Sequence, residues 1–103
     1  MALNNLKSPT AVMEDLKEQG FAVDFRFDKN KLIPFQYPTR SYTADELTLV
    51  EIFRFEGNTD PGDASILYVL ETRDGLKGTI SNGYGVEANT SLEDFLESVQ
   101  SRV

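Results

Sequence analysis

The sequence predicts an α+β fold: a two-layer sandwich in which an antiparallel sheet of about five strands carries the N- and C-terminal helices on one face. Three observations support it. An amphipathic helical pattern stands near each terminus, aromatic and β-branched residues concentrate in the segments between, and short turn sequences join those segments. At 103 residues the chain fits a single domain spanning 1–103, large enough to bury one core without staples.

Ser8-Pro9 opens the first helix. Ser8 can cap it, Pro9 has the φ suited to the first helical position, and Gly20 is placed to end it in a left-handed conformation, giving a helix over about residues 9–19. Alternation follows at once, with Phe21, Val23, Phe25 and Phe27 on one face and Ala22, Asp24, Arg26 and Asp28 on the other. Asp28-Lys29-Asn30-Lys31 reads as a turn into a weaker strand over about residues 32–37, which Pro34 and Pro38 confine to a sheet edge. Thr43 with Glu46 three residues later has the capping-box form and predicts a short helical turn.

The next strand is expected over about residues 48–56, then a turn at Asn58-Thr59-Asp60-Pro61-Gly62-Asp63 and a strand over 65–73. Asp74-Gly75 marks a tight hairpin into 76–81, and Asn82-Gly83-Tyr84-Gly85 breaks that strand before Val86-Glu87-Ala88. Ser91 is expected to begin the last helix, whose apolar stripe is Leu92, Phe95, Leu96 and Val99. Phe21, Phe25, Phe27, Phe53, Phe55 and Phe95 are expected in the core, each contributing about 1.5–3 kcal/mol on burial.

Composition excludes many chemistries. The chain has neither cysteine nor histidine, which removes disulfides, thiolate metal sites, the cysteine nucleophile, and the commonest general base and metal ligand. No cofactor and no metal site are expected. The first residues have neither a basic nor an apolar leader region, and no apolar run approaches the roughly 20 residues of a membrane span, so a soluble, cytoplasmic protein with no membrane partner is expected. The net charge of -7 is uneven: residues 1–42 carry six bases and five acids, whereas residues 43–103 carry four bases and twelve acids. That acidic half repels a phosphate backbone, so no nucleic-acid partner is expected. A solvated acidic surface is the favoured reading, with a basic partner as the functional one.

Few residues point to chemistry. The pairs Glu14-Asp15, Asp45-Glu46 and Glu93-Asp94 are explained by helix starts and the capping box. Asp60-Pro61-Gly62-Asp63 lacks the ligand spacing of an EF-hand loop, and a plain turn is favoured. Gly83-Tyr84-Gly85 lets backbone amides approach an anion, but Ala88 stands where a dinucleotide loop has its third glycine. Arg54 and Glu56 share the face of Val50 and Ile52, where a charge must meet solvent, an ion-pair partner or a ligand. A structural ion pair is the favoured reading.

The pattern Phe53-Arg54-Phe55-Glu56-Gly57-Asn58-Thr59-Asp60-Pro61, with Ser65-Ile66-Leu67-Tyr68, Asp74-Gly75-Leu76-Lys77-Gly78 and Tyr84-Gly85-Val86, resembles a family of small bacterial proteins frequent in Bacteroidetes. Asp15-Leu16-Lys17, Gly20-Phe21 and Asp24-Phe25 extend the resemblance over most of the chain. Members often carry the label phosphoribosylpyrophosphate synthetase. That enzyme places paired acids after a strand and ahead of a Thr/Gly-rich loop, on alternating β and α elements; neither pattern is present here. The resemblance therefore implies a compact α+β domain and no particular reaction.

Three roles follow. The leading one is a non-enzymatic protein-interaction or regulatory module, as a homodimer or with another protein, using a sheet face or edge left open by the helices. The alternative is a binding domain for a small anionic or phosphorylated metabolite, held by Arg54, Glu56, Lys77, Gly83, Tyr84 and Gly85. An enzyme using Tyr84 with Glu56 or Asp60 comes third.

Overall fold

The computed structural model describes residues 9–55, 65–83 and 89–102. The elements run α1 (Pro9–Glu18), β1 (Val23–Asp28), β2 (Lys31–Pro34), a 3-10 turn (Ala44–Glu46), β3 (Leu47–Phe55), β4 (Ser65–Thr72), β5 (Lys77–Gly83), α2 (Thr90–Glu97) and β6 (Gln100–Ser101). Among the described residues no helix is long and apolar enough to cross a membrane. The expected capping residue Ser8 and the turn at 58–63 lie outside the described residues.

The mixed α+β class is as the sequence predicts, but the sheet differs. Among the described residues it has six strands in the order β2-β1-β5-β4-β3-β6. The pairs β1–β2, β3–β4 and β4–β5 are antiparallel, whereas β1 runs parallel to β5 and β3 parallel to β6. The sheet is thus mixed rather than antiparallel. Hairpin turns reveal only neighbours in sequence, and both parallel contacts join strands that are distant along the chain.

The helices also lie differently from expectation. Val12 and Leu16 of α1 form one core cluster with Leu67 and Val69, while Leu92, Phe95 and Leu96 of α2 form another with Tyr68 and Leu70. Because successive side chains of a strand point to opposite faces, alternate residues of β4 serve the two helices. The helices therefore occupy opposite faces, and the layering is helix, sheet, helix in place of a two-layer sandwich with both helices on one face.

A bulge in β3 makes this possible. Leu49 pairs with Leu70 and Glu51 with Val69, leaving Val50 as the extra residue. Leu47 and Leu49 pack in the α2 cluster, whereas Val50, Phe53 and Phe55 pack against the α1 cluster. Val50 consequently does not share the face of Ile52, which packs on the α2 side. Of the six expected core phenylalanines, Phe25 and Phe95 are buried; the other four are partly buried against the two clusters. Phe21 joins the α1 cluster, away from Val23, Phe25 and Phe27, because it precedes β1 and closes the helix end.

Local signals explain the element ends. Gly20 has φ +99°, its N–H donates to the Lys17 carbonyl at 3.0 Å, and the Phe21 N–H donates to the Leu16 carbonyl at 2.9 Å. These two bonds are a Schellman closure, with Phe21 and Leu16 in one apolar cluster. Lys29 and Asn30 both have positive φ, as a two-residue hairpin turn of matching twist requires. Glu46 accepts from the Thr43 N–H at 2.9 Å, so the capping box forms and sets the 3-10 turn.

The cap of α2 is Asn89, two residues before the expected Ser91; its side chain accepts from the Leu92 N–H at 3.1 Å. The buried Asn82 at the end of β5 donates to the Asn89 carbonyl at 3.1 Å and accepts from the Asn89 N–H at 2.9 Å. A strand side chain thus holds the helix start in place. Glu93 lies in the first turn of α2, but Asp94 lies beyond it and Glu14 and Asp15 lie beyond the first turn of α1, so of these two pairs the dipole argument holds for Glu93 alone.

Gly78 lets β1 and β5 meet. It pairs with Val23, and a Cβ added to it would lie 2.2 Å from the Val23 carbonyl oxygen and 2.7 Å from the Phe25 ring. Gly78→Ala is expected to cost about 2–3 kcal/mol by overpacking. The melting temperature should then fall by roughly 10 °C or more, as calorimetry on the pure protein would read; an unchanged melting temperature would contradict the close β1–β5 contact.

Candidate functional site

Two features near the β2 end of the sheet combine exposed or polar side chains with a defined geometry. The first is the connection between β2 and β3. Tyr42 forms an isolated antiparallel bridge with Leu32, and its N–H and carbonyl both bond Leu32 at 2.9 Å. Its ring is buried in the main core, and its hydroxyl donates to the Asp74 carboxylate at 2.8–3.0 Å. Asp74 also accepts from the Thr72 hydroxyl, and the Arg40 guanidinium stands 3.9 Å away. The Arg73 N–H donates to the Glu46 carbonyl at 2.8 Å, so the connection is tied to the β4–β5 turn at a second point.

This cluster holds the loop in place and does not suit proton abstraction. Burial, reinforced by the bond to Asp74, pushes the Tyr42 hydroxyl above its ordinary value, so it stays protonated and donating. The hydroxyls of Thr72 and Tyr42 hold the Asp74 carboxyl below its ordinary value, so it stays ionised and accepting.

Between these anchors the loop presents Phe35, 61% exposed, and Tyr37, 43% exposed, the large hydrophobic side chains that remain outside the core among the described residues. The loop's backbone is bonded at both ends and in the middle. The Phe35 N–H donates to the Asp24 carbonyl at 2.8 Å, the Tyr37 N–H to Pro34 at 3.2 Å, and the Arg40 N–H to Tyr37 at 3.0 Å. The Gln36 side chain accepts from the Asp24 N–H at 3.1 Å and donates to the Ala22 carbonyl at 3.2 Å, continuing the pairing of β1 where β2 has ended. The Arg40 guanidinium lies 4.9 Å from the centre of the Tyr37 ring.

The second feature is a groove of about 430 Å³ on the α1 face, lined by Met13, Asp24, Phe35, Leu67, Thr79 and Ser81 among others. It exists because α1 packs over β3 and β4 and, among the described residues, leaves β1 and β5 uncovered on this face. Phe35 belongs to both features.

The residues singled out from sequence are not brought together. Arg54 pairs across Ile66 with Asn82, which puts it at the same end of the sheet as Gly83. Lys77 begins β5, six residues from Gly83, a separation of roughly 20 Å along a strand. Arg54 lies opposite Ile66, a residue of the α2 cluster, whereas Lys77 points to the other face, its ammonium 5.4 Å from the Phe21 ring centre. Arg54 is engaged, close enough to Tyr68 to oppose the effect of burial and Glu93 in raising that hydroxyl's pKa. Glu56, Tyr84 and Gly85 lie outside the described residues. Among the described residues no three acidic side chains converge as a metal site would require. From sequence the loop over residues 35–41 reads as an edge strand and a proline turn, which hides it as a site. Ile33, Phe35 and Tyr37 alternate as on a strand face, so the pattern does not mark the two aromatics as a loop; Pro34 and Pro38 are the local signal that the strand ends.

Comparison with protein families, with curated proteins and with solved structures finds no match.

The Asp74 cluster has a measurable pH signature. Since the folded state holds the Asp74 carboxyl below its ordinary value of 3.8, its contribution is complete above that value and is lost as pH falls through the folded one. For Tyr42, raised above 10.0, the contribution is complete below 10.0 and is lost as pH rises through the folded value. In urea unfolding across pH, Asp74→Asn should flatten the acid limb and Tyr42→Phe the alkaline limb. Limbs identical to those of the parent protein would contradict the hydrogen bonds described.

Proposed function

We propose that this protein is a non-enzymatic protein-interaction module whose docking surface is the loop carrying Phe35, Tyr37 and Arg40. The observation that supports the reading is the exposure of two aromatics on a backbone that is bonded at both ends and in the middle. Aromatic and arginine side chains are the types that dominate binding energy at interfaces, and a pre-ordered loop loses little entropy when it docks. Strand addition, the other route by which a sheet binds a protein, has less support. The outer edge of β2 already bonds Tyr42 through Leu32 and ends at Pro34, while β6 is two residues long.

The partner is either a second copy of the chain or another protein, in a cytoplasmic setting that suits a chain without cysteine. An anionic metabolite held jointly by Arg54 and Lys77 has less support, because the two cations occupy opposite faces near opposite ends of the sheet.

The experiment is capture from native lysate together with mass measurement over a range of concentrations, comparing the parent protein with a Phe35→Ala/Tyr37→Ala variant. Loss of two interface aromatics at about 2 kcal/mol or more each should weaken association by well over tenfold. Stability should stay within about 0.5 kcal/mol, since both side chains face solvent. A variant that retains every partner, or a parent protein that remains monomeric and captures none, would refute the proposal.

A further inference from the structure

We infer that the groove between α1 and strands β1 and β5 is a binding site for a small organic cation, a primary ammonium attached to an apolar body of aryl size. The volume, about 430 Å³, lies in the range of small-molecule sites. Asp24 and Thr79 are paired neighbours on β1 and β5, and Ser81 follows Thr79 by two residues on the same face of the strand. They form a polar strip along the groove floor, and Met13, Leu67 and Phe35 provide apolar walls.

The charge of this lining selects the ligand. Among the described residues Asp24 is its one ionisable side chain, and no described lysine or arginine contributes to it. Lys77 stands on the same face two residues before Thr79, but its ammonium is over the Phe21 ring. A phosphate or carboxylate would therefore meet a carboxylate with no cation to offset it, whereas an ammonium meets its complement. An ammonium has three N–H donors and no acceptor. The strip supplies a carboxylate and two hydroxyl oxygens, a matching set of acceptors, and the remainder of the ligand lies against methionine, leucine and phenylalanine. The groove shares Phe35 with the docking loop, but it is present without any protein partner, so this inference does not rest on the proposed protein interaction.

The test is titration of the isolated, isotope-labelled protein with 2-phenylethylammonium, followed by amide chemical shifts. Saturable shifts centred on Asp24, Thr79 and Ser81 are expected, with none from 3-phenylpropionate. Asp24→Asn should weaken binding on the order of tenfold or more, the effect of losing a charged hydrogen bond. Glu97→Gln removes the same charge from the opposite face and should leave the affinity unchanged. Met13→Trp, which fills the groove from the helix side, should abolish binding and keeps the test decisive if Asp24→Asn fails to fold. Absence of saturable shifts, equal affinity for 2-phenylethanol, or tighter binding of N-acetyl-lysine amide than of the aryl amine would each overturn the inference. The last result would assign the groove to a lysine side chain of a protein.

Discussion

The burial of β4 on both faces is the constraint on which the rest of the structure depends. Ile66, Tyr68 and Leu70 turn to one side and Leu67 and Val69 to the other, and each set must be removed from water by a different layer. A single layer of helices could satisfy only half of this strand. The requirement places α1 and α2 on opposite faces and positions β4 between β5 and β3, inside the sheet. It also accounts for the bulge at Val50. With strict alternation, Leu47, Leu49, Phe53 and Phe55 would all face one way; the extra residue sends the leucines to the α2 core and the phenylalanines to the α1 core.

The two helices do not cover equal areas, and the possible sites arise from the difference. The α2 cluster draws on β1, β2, β3, β4 and β5, with the Phe27 and Phe95 rings 5.3 Å apart, and forms the main core. The α1 cluster draws on β3 and β4 together with Phe21. The α1 face of β1 and β5 is consequently left to polar side chains, and there the groove opens. At the β2 end, the chain must travel from one edge of the sheet to β3. It does so along a path tied down by Tyr42, Asp74 and the Arg73 N–H, which leaves Phe35 and Tyr37 at its outer turn.

Much of this was legible in the sequence where the cause is local. The end of α1 at Gly20, the alternation of β1, the edge position of β2 with Pro34, and the capping box at Thr43 all rest on residues within a few positions of one another. The parallel pairs β1–β5 and β3–β6 have no such signal, because they depend on which strands meet after the chain collapses. Ile66-Leu67-Tyr68-Val69-Leu70 is apolar without alternation, the mark of a strand buried on both faces, and it implies helices on both sides. The candidate site was the least legible part. Arg54, Lys77 and the glycine loop stand out by residue type, yet register separates Arg54 from Lys77, and the groove residues Asp24, Thr79 and Ser81 look ordinary until β1 and β5 pair.

Native-state hydrogen exchange measured amide by amide tests the two-faced burial of β4 most directly. If that burial organises the fold, the amides of Leu67, Val69 and Leu70 exchange only through global unfolding, and more slowly than those of β2 and β6 at the sheet edges. Exchange of β4 through a local opening, while β1 and α2 remain protected, would contradict the account.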